Sequence, residues 1–146
     1  MNKRLALLLS ASLLTMAYSA SAETIAECGK SVGKEYAGDP NKWTDADGSF
    51  NPQTTIVQVG SDYDVLFRDQ LGMRSVRSQQ GRVFRVEGAD NGRLTLLAVY
   101  PLGDIETYQL TLGKDGRGTL LWTSSKHQSF VTGTPVGGLY VAQCTR

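Results

Sequence analysis

Short apolar-rich runs along the chain are punctuated at even spacing by turn residues: Gly60-Ser61-Asp62, the stretch from Asp69 to Gly72, Gln79-Gln80-Gly81, Asn91-Gly92, Gly103-Asp104 and Asp115-Gly116. Such spacing predicts antiparallel strands joined by hairpins. The strands are expected at 54–59, 63–68, 73–78, 82–87, 93–102, 105–112, 118–124 and 138–144. As a tight two-residue turn, Asn91-Gly92 would set Val86 opposite Leu97 and Phe84 opposite Val99. Gly103-Asp104 would set Val99 opposite Tyr108 and Leu97 opposite Leu110, and Asp115-Gly116 would set Leu110 opposite Leu121. Longer loops carry the same stripe backwards, with Val76 facing Phe84, Val65 facing Val76 and Val57 facing Val65. The expected fold is all-β, a small antiparallel meander barrel of about eight strands, because an even meander can pair its last strand with its first and leave no free edge. A barrel of that size is filled by side chains or holds one small ligand. A sandwich is the second arrangement the pattern allows.

Two stretches depart from this stripe. Between Glu23 and Gly38, Ile25, Val32 and Tyr36 share one helical face while Gly29 and Gly33 weaken a helix, so a short N-terminal helix or irregular lead-in is expected. Leu96, Ala98, Leu120 and Trp122 fall on the face opposite the stripe, which predicts an apolar outer patch in need of a cover.

The start of the chain reads as an export signal. Lys3 and Arg4 precede an apolar run from Leu5 to Met16, and Ala20-Ser21-Ala22 has the small-x-small form that signal peptidase accepts. Residues 1–22 are expected to be removed, leaving 23–146 as a single β-barrel domain in the periplasm or outside the cell. The apolar run is shorter than the roughly 20 residues of a bilayer span, so no stable membrane insertion is expected. Of 15 Lys and Arg, Lys3 and Arg4 leave with the signal, and the remaining 13 against 14 Asp and Glu exclude a generally basic nucleic-acid binder. Cys28 and Cys144 are the only cysteines. In an exported chain an even count predicts a disulfide, here one that joins the two ends of the domain.

Candidate chemistry is sparse. His127 is the only histidine, and no Gly-x-Ser-x-Gly elbow offers a nucleophile to it. Lys126 and His127 therefore read as contact residues, together with the loop aromatics Trp43 and Phe130. Six Asp lie between Asp39 and Asp69, whereas Arg74, Arg77, Arg82, Arg85 and Arg93 cluster further on. Arg77 and Arg85 could steer an anionic partner, or simply pair with the Asp-rich half. Asp39, Asn41, Asp45 and Asp47 suggest a calcium loop, but their spacing puts Trp43 at the first ligand position and Thr54 where a bidentate Glu belongs. No cofactor and no metal are expected.

In size, leader, cysteine placement and strand count the chain resembles small periplasmic inhibitors of lysozyme and immunity proteins that block toxins aimed at the cell wall. The Ser-Gly-x-Gly-x-Arg-Tyr type of loop used by the lysozyme inhibitors is absent; 124–130 takes a similar late position. The resemblance implies a non-enzymatic inhibitor or immunity-type protein acting on a partner enzyme such as a cell-wall hydrolase. The alternative is a small-ligand carrier of lipocalin-like architecture.

Overall fold

The computed structural model describes residues 21–46, 52–70, 72–86, 92–127 and 133–146. The expected leader lies outside these residues except for Ser21 and Ala22. The strands are β1 (Ala22–Lys30), β2 (Val32–Ala37), β3 (Thr44–Asp45), β4 (Gln53–Val59), β5 (Asp62–Asp69), β6 (Gly72–Ser75), β7 (Arg82–Arg85), β8 (Arg93–Val99), β9 (Ile105–Leu112), β10 (Arg117–Lys126) and β11 (Val136–Thr145). They form one curled antiparallel sheet in the order β6-β5-β4-β1-β11-β10-β9-β8-β7, with β2 also beside β11 and β3 beside β2. The fold is all-β as expected, but the barrel is a half-barrel: β6 and β7 end the sheet without pairing to each other.

The segment expected as a helix or lead-in is strand. β1 pairs with β4, and after Ser31 the chain continues as β2 along β11, so one nearly continuous ribbon joins two meanders. The helical spacing of Ile25, Val32 and Tyr36 had no face to bury, since Val32 is 70% exposed. Instead Ala26 and Cys28 alternate inward at period two. The last strand thus meets the N-terminal segment rather than 54–59. Cys28 stands directly opposite Cys144, and the predicted disulfide forms there, buried.

The barrel fails to close because the chain leaves the sheet after β6. Ser75 and Ser78 exchange backbone and side-chain hydrogen bonds, Ser75 N–H to Ser78 Oγ at 2.8 Å and Ser78 N–H to Ser75 Oγ at 3.0 Å. That local alternative to a ladder turns Arg77–Gln79 into a 3₁₀ helix, so the expected Val76 to Phe84 pairing does not form. The Val65 to Val76 register does hold, with Val76 N–H donating to Val65 O at 3.0 Å.

In the second meander β8 and β10 bury the face opposite to the one expected, while β9 buries Tyr108 and Leu110 as expected. Leu110 pairs with Leu94 and Leu120, and Tyr108 with Leu96 and Trp122, so Leu96, Ala98, Leu120 and Trp122 belong to the core rather than to an outer patch. Leu97 faces Thr107 on the other side, and Phe84 and Val86 are 47% and 43% exposed. The cause is loop length. Tyr100 N–H bonds Asp104 O and Gly113 N–H bonds Arg117 O, which makes both hairpins three-residue loops, Pro101-Leu102-Gly103 and Lys114-Asp115-Gly116. In each the last glycine takes a positive φ, 85° and 78°, as the favoured three-residue hairpin requires. Relative to the expected pairings the registers move by odd numbers, three residues in one hairpin and one in the other, and each odd shift turns the strand over. The β4–β5 turn moves by one as well, to Gly60-Ser61, pairing Ile56 rather than Val57 with Val65.

Aromatic rings fill the centre. In register across three strands, Tyr140 stacks on Trp122 at 4.4 Å and Trp122 on Tyr108 at 6.0 Å, while Phe67 approaches both Tyr108 and Trp122 from β5. Gly138 and Gly33 make the space for Tyr140, since a Cβ at either would collide with its ring. Trp122 keeps its indole N–H buried without a partner among the described residues, a cost of about 1–3 kcal/mol that the stacking on both faces offsets. Among the apolar side chains left outside are Phe84 and Val86, which the expected stripe places inside, and Val32, Leu139 and Val141 along the β2–β11 seam.

Candidate functional site

One end of the half-barrel gathers the polar chemistry. Pro101 presets the backbone for the first turn position of the β8–β9 hairpin, and Leu102 at its tip is 77% exposed. Asp104 closes the loop and reaches across to the end of β10. Its Oδ1 accepts the backbone N–H of His127 at 3.0 Å and lies 3.0 Å from His127 Nδ1. A carboxylate at Nδ1 selects the tautomer protonated there and leaves Nε2 as the outward atom.

Beneath this rim sits Glu106, 3% exposed on the core face of β9. Tyr100 O–H donates to its Oε2 at 2.7 Å, Tyr108 O–H donates to the same oxygen, and Lys126 Nζ lies 3.5 Å from Oε1. A buried carboxylate is tolerable here because both oxygens have donors and one donor is a cation. Burial, reinforced by the charge of Glu106, pushes the Tyr100 and Tyr108 hydroxyls well above the usual phenol range. Burial, and then Glu35, whose Oε2 accepts Tyr140 O–H at 3.0 Å, does the same to Tyr140.

These shifts set a pH dependence. Tyrosines in the unfolded chain release protons near pH ~10, whereas the native chain keeps them, so stability is complete below that pH and falls as pH rises toward the native values. The denaturant midpoint is expected to drop between pH ~10 and ~11.5, less steeply in Tyr100→Phe; a flat midpoint across that range would contradict the buried hydroxyls.

Between the hairpin and the 3₁₀ turn lies a hollow of about 360 Å³, lined by Gln79, Gln80, Tyr100, Pro101, Leu102, Asp104 and Lys126. Of the residues singled out in the sequence, Lys126 and His127 meet at this rim. Phe130 lies outside the described residues. Trp43 stands apart, edge-on to Tyr36 at 5.0 Å on β2 and 49% exposed. Arg77 is held by Asp62 at 3.2 Å and by the Tyr63 carbonyl at 3.4 Å, pairing with the Asp-rich half. Arg85 is exposed on β7, opposite Leu96. In the suggested calcium loop, Asp39 accepts the Asn41 N–H at 3.0 Å and Asp45 pairs with Lys34 at 2.6 Å; Asp47 lies outside the described residues.

Sequence reasoning missed Gln79, Gln80, Tyr100, Leu102, Asp104 and Glu106. One signal was present: Glu106 alternates with Tyr108 and Leu110, so whichever face those residues bury must bury a carboxylate too. Among the described residues no helix is long and apolar enough to cross a membrane. Compared with known proteins, the chain matches no family model, no curated protein and no solved structure. What the geometry defines is a disulfide-tied, curled β-sheet with a ring-filled centre and one polar end.

Proposed function

We propose that the chain is an exported, periplasmic, non-enzymatic binding protein of the inhibitor or immunity type, which occludes the cleft of a partner enzyme such as a cell-wall hydrolase. The observation that carries this reading is the rim. Leu102, an apolar side chain 77% exposed, stands on a short loop fixed at both ends by backbone hydrogen bonds, beside Lys126 and the Asp104-held ring of His127. A rigid apolar tip with charged neighbours gives up little conformational freedom when it enters a partner's pocket. The buried disulfide fits an oxidising compartment. The stacked rings at the centre favour this reading over a lipocalin-like carrier, which needs a hollow interior.

The test is inhibition of purified cell-wall hydrolases by the protein at micromolar concentration. Leu102→Asp is expected to weaken inhibition by about tenfold or more while leaving the melting temperature unchanged. Absence of inhibition by the natural chain, or equal inhibition by the variant, overturns the proposal.

A further inference from the structure

The hollow beside the rim has features that a protein contact does not need. Its volume, about 360 Å³, lies in the range of about 300–1,000 Å³ typical of small-molecule sites. Its far wall is Gln80, which caps the 3₁₀ turn at φ 62°, ψ 14° and is the single non-glycine residue with a positive φ among the described residues. Glycine would adopt that conformation without strain, and strained backbone of this kind concentrates where a side chain is used by a ligand.

The two charged side chains that line the hollow are opposite in sign: Lys126, which also faces Glu106 at 3.5 Å, and Asp104, whose carboxylate is engaged by His127 through Oδ1 only. A fully charged ligand therefore gains attraction from one wall and repulsion from another. A neutral ligand with many donors and acceptors meets a matched set: Asp104 Oδ2, which has no protein partner among the described residues, the half-exposed ammonium of Lys126, and the two glutamine amides, each of which both donates and accepts. Tyr100, Pro101 and Leu102 add apolar surface suited to the C–H face of a sugar ring and to an acetyl methyl.

We propose that the hollow between Gln79-Gln80 and the Pro101-Leu102-Gly103 hairpin is a binding site for a neutral N-acetylated sugar unit of a glycan. The glutamine amides read the acetamido group, and Asp104 and Lys126 hydrogen-bond the ring hydroxyls. The site shares Leu102, Asp104 and Lys126 with the rim but needs no protein partner, so sugar titration tests it separately from enzyme inhibition.

The experiment is a titration of the full exported domain with tri-N-acetylchitotriose, followed by amide chemical shifts and calorimetry. Saturable shifts are expected at Gln79, Gln80, Tyr100, Asp104 and Lys126, with cellotriose, which lacks the acetamido groups, binding about tenfold more weakly or worse. Gln80→Gly supplies the decisive contrast: removing the left-handed strain should raise the melting temperature while sugar affinity falls by about five- to tenfold. A destabilised fold cannot mimic that pair of results. No saturable shifts with about 10 mM chitotriose, equal affinity for the two sugars, or undiminished binding by Gln80→Gly overturns the assignment.

Discussion

Leu96→Ala is expected to destabilise the protein by about 2–5 kcal/mol, while Leu97→Ala one position along should cost about 1 kcal/mol or less. Leu96 is fully buried, paired with Tyr108 in the row of stacked rings, and its removal leaves a cavity that neighbouring strands cannot collapse to fill. Leu97 is half-buried on the convex side, between Phe84 and Thr107. Urea midpoints of the two variants decide which face of β8 is inside. A reversed order, with Leu97 the costly position, would restore the two-residue hairpins and remove the ring-filled centre from which the rim and the hollow are built.

The choice of this pair shows what the chain reveals and what it conceals. Strand positions were legible because turn residues interrupt every apolar run, and six of the eight expected segments overlap strands β4, β5 and β8 to β11 almost end to end. Facing was not, because 94–99 is apolar at nearly every position and offers either face as a core. Only loop length separates the two, and the deciding detail is local: Pro101 at the first loop position and Gly103 at the third fit a three-residue loop better than a Gly103-Asp104 pair. The N-terminal segment was hidden for a different reason. Its apolar residues are few because β1 buries chiefly Ala26 and Cys28, small side chains facing a centre already occupied by rings. Without bulky alternation the strand signal is faint, and three chance residues at helical spacing outweighed it.

The polar end was less legible still, since it is assembled from three distant pieces. Lys126 and His127 could be singled out as unusual residues in a late polar stretch, and the structure brings them to the rim. The opposite wall depends on Ser75 and Ser78 satisfying each other's backbone, which diverts the chain into a 3₁₀ turn and places Gln79 and Gln80 beside the β8–β9 hairpin. Nothing in the periodicity of 73–87 distinguishes that diversion from an ordinary hairpin. The open seam and the hollow thus share one origin: had the chain continued in the sheet, β7 would have closed the barrel and the glutamines would have lain on a strand.

Removing the disulfide is expected to cost about 3–5 kcal/mol, because the bond closes a loop across a sequence separation of 116 residues and restricts the unfolded chain accordingly. Cys28→Ala with Cys144→Ala isolates this effect, as two alanines fit the buried site and leave no free thiol. Equilibrium unfolding should give a midpoint well below that of the natural chain with a larger denaturant dependence, since the uncrosslinked chain exposes more surface. The position of the bond sharpens the expectation. Cys28 and Cys144 form one of only two residue pairs in the β1–β11 ladder, the other being Glu27 with Thr145, so the seam between the two meanders rests on the crosslink and on the longer β2–β11 pairing beyond it. Amide exchange in the double variant should therefore accelerate first at Glu27, Cys144→Ala and Thr145, while Leu96, Tyr108 and Leu120, deep in the β8–β10 meander, keep protection close to the global value. Loss of stability spread evenly over all strands would mean that the crosslink acts only on the unfolded ensemble. Local opening at the seam would mean that it also holds β1 against the last strand, where only the β2–β11 pairing otherwise joins the N-terminal ribbon to that meander.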